Sequence, residues 1–248
     1  MLDMTGGRSS IVVAAVGDIH SPKFLKVFKN ALQSIPSNYI DLFLLAGDNV
    51  HRNDVDQMGN VIDAIRDIGN IPIVSCFGNE EYTPQRYKDE YSSVTWLDDE
   101  STILNIKGWS IKIIGTKGVL DKPTAWQSRN IKDIDKIYAE RLRRIEYLIN
   151  DGKADFNILL SHYSVTYKTM VGEPESLWPL LGSRAMEDII LRANLTLCIH
   201  AHVHRSKRRM IEVSSTTIIN VSLPSTNNIS IITLPISQTL QKTLTNFF

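Results

Sequence analysis

Apolar residues along this 248-residue chain fall into short continuous runs separated by amphipathic stretches. Ile11–Val16 is a β-branched, uninterrupted apolar run of strand length, and Gly17 ends it. Ser21-Pro22 then reads as N-cap and first helical residue. Phe24, Leu25, Phe28, Leu32 and Ile35 give that helix one apolar face. Residues 41–46 read as a second strand. Val55, Met58, Ile62 and Ile65 mark a second helix with Gly69 as its stop, and 71–76 a third strand. This β-α-β-α-β order predicts a parallel sheet with right-handed crossovers.

The pattern changes after the third strand. Residues 101–106 and 110–115 flank Lys107-Gly108 and predict a hairpin. Residues 117–130 carry Gly, Pro and polar side chains and read as a surface loop or lid. Ile134, Ile137, Leu142, Ile145 and Leu148 stripe a long helix over 133–150. A strand at 156–160, a helix at 187–192 and a strand at 195–199 follow. Met210–Val213, 216–221 and 229–234 make the remainder all-β. With no repeat and no low-complexity linker, 1–248 is expected to form one domain, with 235–248 as a loose polar tail.

Composition narrows the class. Hydrophobic residues make up 43% and charged residues 22%, which excludes a disordered chain. The 27 basic and 27 acidic side chains cancel, so nothing favours broad attraction to a membrane or to long nucleic acid. No apolar run approaches the roughly 18–20 residues of a membrane span, and residues 1–10 hold no signal-like stretch. Two cysteines, Cys76 and Cys198, give no disulfide framework, so a reducing, cytoplasmic setting is expected and both read as small buried hydrophobes.

The chemistry lies at the strand ends. Five apolar strands run into Gly17-Asp18-Ile19-His20, Gly47-Asp48-Asn49, Gly78-Asn79-Glu80-Glu81, Ser161-His162 and His200-Ala201-His202-Val203-His204. In open α/β sheets the loops beyond the strand C-termini build the site, so these side chains are expected in one crevice. Imidazole and carboxylate without cysteine suit Mn, Fe or Zn. The i, i+2 pairs Asp18/His20 and His202/His204 place both side chains on one side of an extended segment.

The succession Asp-x-His, Gly-Asp, Gly-Asn, His, x-His-x-His over 17–204 resembles the calcineurin-like metallophosphoesterase superfamily. The resemblance implies a four-layer α/β/β/α sandwich of two facing mixed sheets. It implies two divalent metal ions, Mn first, with Fe, Zn, Ni or Mg as alternatives. Asp18, His20 and His204 would bind one; Asn79, His162 and His202 the other; Asp48 would bridge them. Such ions, roughly 3.5–4 Å apart, polarise phosphoryl oxygens and acidify a bridging water, whose hydroxide attacks phosphorus in line. Asp48, Asn79, Glu80 and His162 are the catalytic candidates.

Three positions depart from the family pattern. Glu80 stands where the family usually has a histidine that contacts phosphate and assists the leaving group; family members without it are often active on phosphodiesters. His51, His200 and Tyr163 are then the candidate acids, although His200 also reads as a core residue. Ala201 replaces a glycine before His-x-His. Val50, His51 and Arg52 follow Gly47-Asp48-Asn49 without the longer protein-phosphatase signature. The expected activity is therefore hydrolysis of a phosphoester, foremost a phosphodiester, on a nucleotide or other small molecule. A phosphomonoesterase or protein phosphatase is the alternative enzyme. A metal-binding protein-interaction scaffold is the alternative of another class, and a nuclease on long nucleic acid ranks below these. Arg205, Lys207, Arg208 and Arg209 read first as a solvated loop and second as a positive rim for anionic substrates, Tyr82, Tyr87 and Tyr91 as packing residues, and Trp126 and Trp178 equally as loop anchors or as covers for a nucleotide base.

Overall fold

A computed structural model describes residues 9–236 apart from 153. The first half of the described chain runs β1 (Ile11–Val16), α1 (Leu25–Gln33), β2 (Leu42–Ala46), α2 (Gln57–Arg66), β3 (Ile73–Cys76), α3 (Pro84–Glu90) and β4 (Val94–Leu97). A hairpin of β5 (Glu100–Ile106) and β6 (Trp109–Thr116) leads through α4 (Ala125–Asn130) and α5 (Ile134–Asn150) to β7 (Phe156–Ser161). After a 3-10 turn at Glu175–Leu180 come α6 (Arg184–Arg192), β8 (Leu197–His200), β9 (Met210–Val213), β10 (Thr216–Asn220), α7 (Leu223–Thr226) and β11 (Ser230–Leu234).

The strands form two mixed sheets, ordered β11-β1-β2-β3-β4 and β5-β6-β7-β8-β10-β9. β1 to β4 are mutually parallel, as are β6, β7, β8 and β10; the outer strands β11, β5 and β9 run antiparallel to their neighbours. The two faces of β1 go to different cores. Val12, Ala14 and Val16 pack with Phe28, Leu32, Met58 and Ile65 of α1 and α2. Ile11, Val13 and Ala15 pack with Ile113, Ile158 and Ile199 of the second sheet. A third core joins the far face of that sheet to Tyr138 and Ile145 of α5 and Ile190 of α6. Three cores between four layers are the α/β/β/α sandwich the motifs implied.

Several boundaries differ from the sequence expectation. α1 begins at Leu25 rather than Pro22, because Ser21 stays paired with the neighbouring loop through Ser21 N to Asn49 O (2.9 Å) and His51 N to Ser21 O (3.0 Å). The 117–130 segment is not all loop. A capping box, Thr124 with Gln127, starts α4 within it. α6 begins at Arg184, capped by Ser183, earlier than its apolar face suggested. Most of the tail expected over 235–248 lies outside the described residues; Ile236 packs against the core between the sheets. Among the described residues no helix is long and apolar enough to cross a membrane.

Ala201 turns out to be complementary rather than strained. A Cβ added to Gly17 would come 2.5 Å from the Ala201 methyl. The methyl fills the space that Gly17 leaves, and Ala201 keeps a negative φ.

Candidate metal centre

The parallel strands of both sheets bring their C-terminal ends to one edge of the sandwich, and loop-to-loop hydrogen bonds fix them there. Asp18 N bonds Gly47 O (3.0 Å) and His20 N bonds Asp48 O (2.9 Å), laying the β1 and β2 loops side by side. The β2 and β3 loops touch still more closely. A Cβ on Gly78 would stand 2.0 Å from Asp48 Oδ1, so only glycine allows this approach. Across the sheets, His202 N–H donates to Asp18 Oδ2 (2.8 Å), and the His162 Nδ1 lies 2.9 Å from Ala46 O.

The seven expected ligands meet in this crevice as two donor groups. Asp18, His20 and His204 form the first; Asp48, His162 and His202 form the second. Asn79 Oδ1 joins the second at 3.1 Å from His162 Nε2. Asp48 Oδ2 lies between the groups, 4.0 Å from His20 Nε2 and 3.5 Å from His162 Nε2. The i, i+2 rationale for the pairs is corrected in one respect. Asp18 (φ 57°), His20 (φ 42°) and His202 (φ 67°) are left-handed rather than extended, as is Asp48 (φ 50°). Neighbouring structure holds these four non-glycine residues in conformations that cost about 1–3 kcal/mol each.

The donor set fits divalent cations. Ala46 O can only accept, so His162 carries its proton on Nδ1 and turns a lone pair on Nε2 toward Asn79 Oδ1 and Asp48 Oδ2. The lone pair of His162 Nε2 thus faces that of Asn79 Oδ1 with no proton between them. Burial holds His162 neutral, its pKa lowered to about 4, and pushes His202 well below its usual value. Asp18 Oδ1, His20 Nδ1 and His204 Nε2 are buried without a hydrogen-bond partner. Burial, and then the charges of Asp18, Glu81 and Glu80, raises Asp48. Asp18 goes the other way: burial pushes it up, but the adjacent His204, with His162 and His20, pulls it well below the carboxylate range. Divalent cations held by these residues would relieve this crowding of lone pairs and negative charge.

Glu80 faces the rim of the crevice. Its Oε2 accepts Arg52 N–H at 2.6 Å and lies 2.9 Å from His51 Nδ1 and 3.6 Å from His20 Nδ1. Burial pushes Glu80 up, and the Arg52 bond with His20 and His51 more than offsets it, leaving the pKa lowered. Glu80 is therefore an anion near neutrality and a poor proton donor. Of the candidate acids, Tyr163 receives a hydrogen bond from Gln127 Nε2 (3.1 Å), and His200 is fully buried against Thr169 Oγ1 (2.8 Å). Only His51 stands at the mouth.

Sequence reasoning missed Glu81. Its buried carboxylate accepts from Gly78 N (2.6 Å), Asn49 N (2.8 Å), Asn49 Nδ2 (2.9 Å) and Asp48 N (3.1 Å). It clamps the loop carrying Asp48 to the loop carrying Asn79. The tyrosines divide: Tyr87 is core and Tyr91 bonds Val55 O, whereas Tyr82 is exposed. Trp126 is exposed on α4, and Trp178 packs edge-on against Tyr167. Arg205, Lys207, Arg208 and Arg209 are exposed, and Cys76 and Cys198 are buried free thiols.

A two-sheet sandwich with paired His/Asp donor groups at the strand ends defines the class of metal-dependent phosphoester hydrolases. The sequence matches the calcineurin-like phosphoesterase family over residues 11–206, and the chain belongs to that family. No curated protein sequence matches it. Among solved structures it is similar to the phosphopantetheinyl hydrolase PptH of Mycobacterium tuberculosis. Identity there is 16% and the TM-score 0.66, over 94% of this chain and 99% of that one. A protein assigned as a 5'-nucleotidase from Staphylococcus aureus shares 15% identity with a TM-score of 0.53, over 93% of this chain and 52% of that one. GAP50 of Plasmodium, described as the anchor in the inner membrane complex, shares 14% identity with a TM-score of 0.56, over 91% of this chain and 81% of that one. At these identities the likeness is one of fold.

Proposed function

We propose that the chain, as a single domain, hydrolyses phosphodiesters of small molecules, nucleotides among them, with two divalent ions, Mn first. Asp18, His20 and His204 would hold one ion, and Asn79, His162 and His202 the other, with Asp48 between them. The carrying observation is Asp48 Oδ2 standing 4.0 Å from His20 Nε2 and 3.5 Å from His162 Nε2, within reach of both donor groups. Bound there, the ions supply Lewis acidity toward the phosphoryl oxygens and acidify the attacking water.

The residues do the remaining work. Ala46 O fixes the His162 ring, and Glu81 fixes the loop of Asp48. Glu80 sets the preference among esters. A diester presents one negative charge and a monoester up to two, so an anionic rim carboxylate opposes the monoester more. Buried, unpaired Cys76 and Cys198 support a reducing, cytoplasmic setting.

Glu80→His tests the preference. With Mn, the ratio of kcat/KM on 4-nitrophenyl phosphate to that on bis(4-nitrophenyl) phosphate is expected to rise about tenfold, the effect of roughly 1.4 kcal/mol. An unchanged or falling ratio contradicts the role given to Glu80.

A further inference from the structure

The register between β6 and β7 continues one step past both strands. Ile111, Ile113 and Gly115 of β6 pair with Phe156, Ile158 and Leu160 of β7. This row faces the core between the sheets, and a Cβ on Gly115 would come 2.3 Å from that of Leu97 on the facing sheet. Beyond the strands, His162 N–H donates to Thr116 O (3.1 Å) and Tyr163 N–H to Lys117 O (3.0 Å), so the ladder holds and Lys117 falls beside His162. Alternation turns both side chains toward the facing sheet, at the end where the donor groups meet. Burial, and then Arg141, lowers the Lys117 pKa against the pull of the Asp98, Glu81 and Asp48 carboxylates. Lys117 is half-buried and its Nζ is not sealed from solvent. Among the described residues that Nζ has neither a hydrogen bond nor an ion pair. A partly desolvated ammonium without a partner is costly, and an anionic ligand offsets that cost. Glu80, the anion at the rim, lies by His20 in the other donor group and leaves the Lys117 end to such a ligand.

We propose that Lys117 forms a subsite for a second phosphoryl group of the substrate, next to the one that is hydrolysed. The inference rests on the phosphoesterase reading above and deepens it. The substrate class becomes a phosphoester that carries a further phosphate, as in a nucleoside diphosphate derivative. Its second phosphate lies on the His162 side and its uncharged substituent toward Glu80. A phosphate adjacent to the reacting one carries its own charge, and the Asp, Asn and His side chains of the donor groups offer it no fixed cation. Lysine suits the position, being a compact charge on a flexible stem with three donors for phosphoryl oxygens. Lys117 makes and breaks no bond; it selects and orients the substrate.

The test is calorimetric titration of the full Mn-loaded chain with adenosine 5'-monophosphate and with α,β-methylene adenosine 5'-diphosphate, which differ by one phosphoryl group. The wild type is expected to bind the diphosphate analogue more tightly by about tenfold, within the range of a hydrogen bond to a charged group. Lys117→Met keeps the stem without the charge and is expected to abolish that preference. Lys117→Gln is expected to do the same, and Lys117→Arg to retain most of it. Metal content in all three is expected to match wild type. Equal weakening of both ligands in Lys117→Met and Lys117→Gln overturns the subsite, because it assigns Lys117 to the reacting phosphoryl group or to the fold. A preference that survives loss of the charge overturns it as well. Lost metal overturns it by assigning Lys117 to the metal centre. A wild-type chain that binds neither nucleotide and leaves bis(4-nitrophenyl) phosphate intact overturns the phosphoesterase reading, and this inference with it. Wild-type hydrolysis of that diester without a preference for the diphosphate analogue overturns this inference alone.

Discussion

Asp48→Asn is expected to lower phosphodiester hydrolysis by at least about 10²–10³-fold, the scale of removing one preorganised charged contact from a transition state. Asparagine keeps the shape and retains an oxygen for the Glu80 N–H, now 2.8 Å from Asp48 Oδ1. What it loses is the charge at Oδ2, the atom between His20 and His162. Folding is expected to survive, because the buried Asp48 carboxylate is already opposed by burial and by Asp18, Glu81 and Glu80. In the presence of a chelator the variant should unfold at the wild-type temperature or slightly above it. Full activity in this variant contradicts the placement of Asp48 between two ions.

Glu81→Ala is expected to act on stability first. Four donors, Gly78 N, Asn49 N, Asn49 Nδ2 and Asp48 N, would lose one buried acceptor together. Breaking such a network costs about 3–5 kcal/mol. Urea unfolding in chelator measures this, and Glu81→Gln, which keeps one oxygen, should lose less. Because the clamp orients the loops of Asp48 and Asn79, Glu81→Gln is also expected to weaken metal binding by about 10–100-fold, as outer contacts to ligands do. Wild-type stability in Glu81→Ala removes the clamp from the account.

How much of this was legible in the sequence follows from burial. β1 and β2 are covered on both faces, so Ile11–Val16 and Leu42–Ala46 read as unbroken apolar runs. The same parallel strands end together, which is why the groups after Gly17, Gly47, Gly78, Ser161 and Ile199 could be expected in one crevice. β4 escaped because it is four residues long with exposed Thr95 in its middle. α3 escaped because it buries only Tyr87. The adjacent pair Glu80 and Glu81 was not separable by pattern. Loop geometry decides that Glu81 turns inward to four donors while Glu80 turns to the rim, and neither the left-handed turns at Asp18 and Asp48 nor the Gly78 approach to Asp48 is written in residue type alone. The Thr124-x-x-Gln127 capping box was readable and marks the start of α4 within the expected loop.

The account stands on Asp48 joining two cation sites. The direct measurement is Mn titration of the full chain, following stoichiometry by calorimetry and the spin state by electron paramagnetic resonance. The account predicts two ions per chain with an exchange-coupled spectrum, and loss of that coupling in Asp48→Asn. One ion per chain, or two ions with an uncoupled spectrum in the wild type, contradicts it.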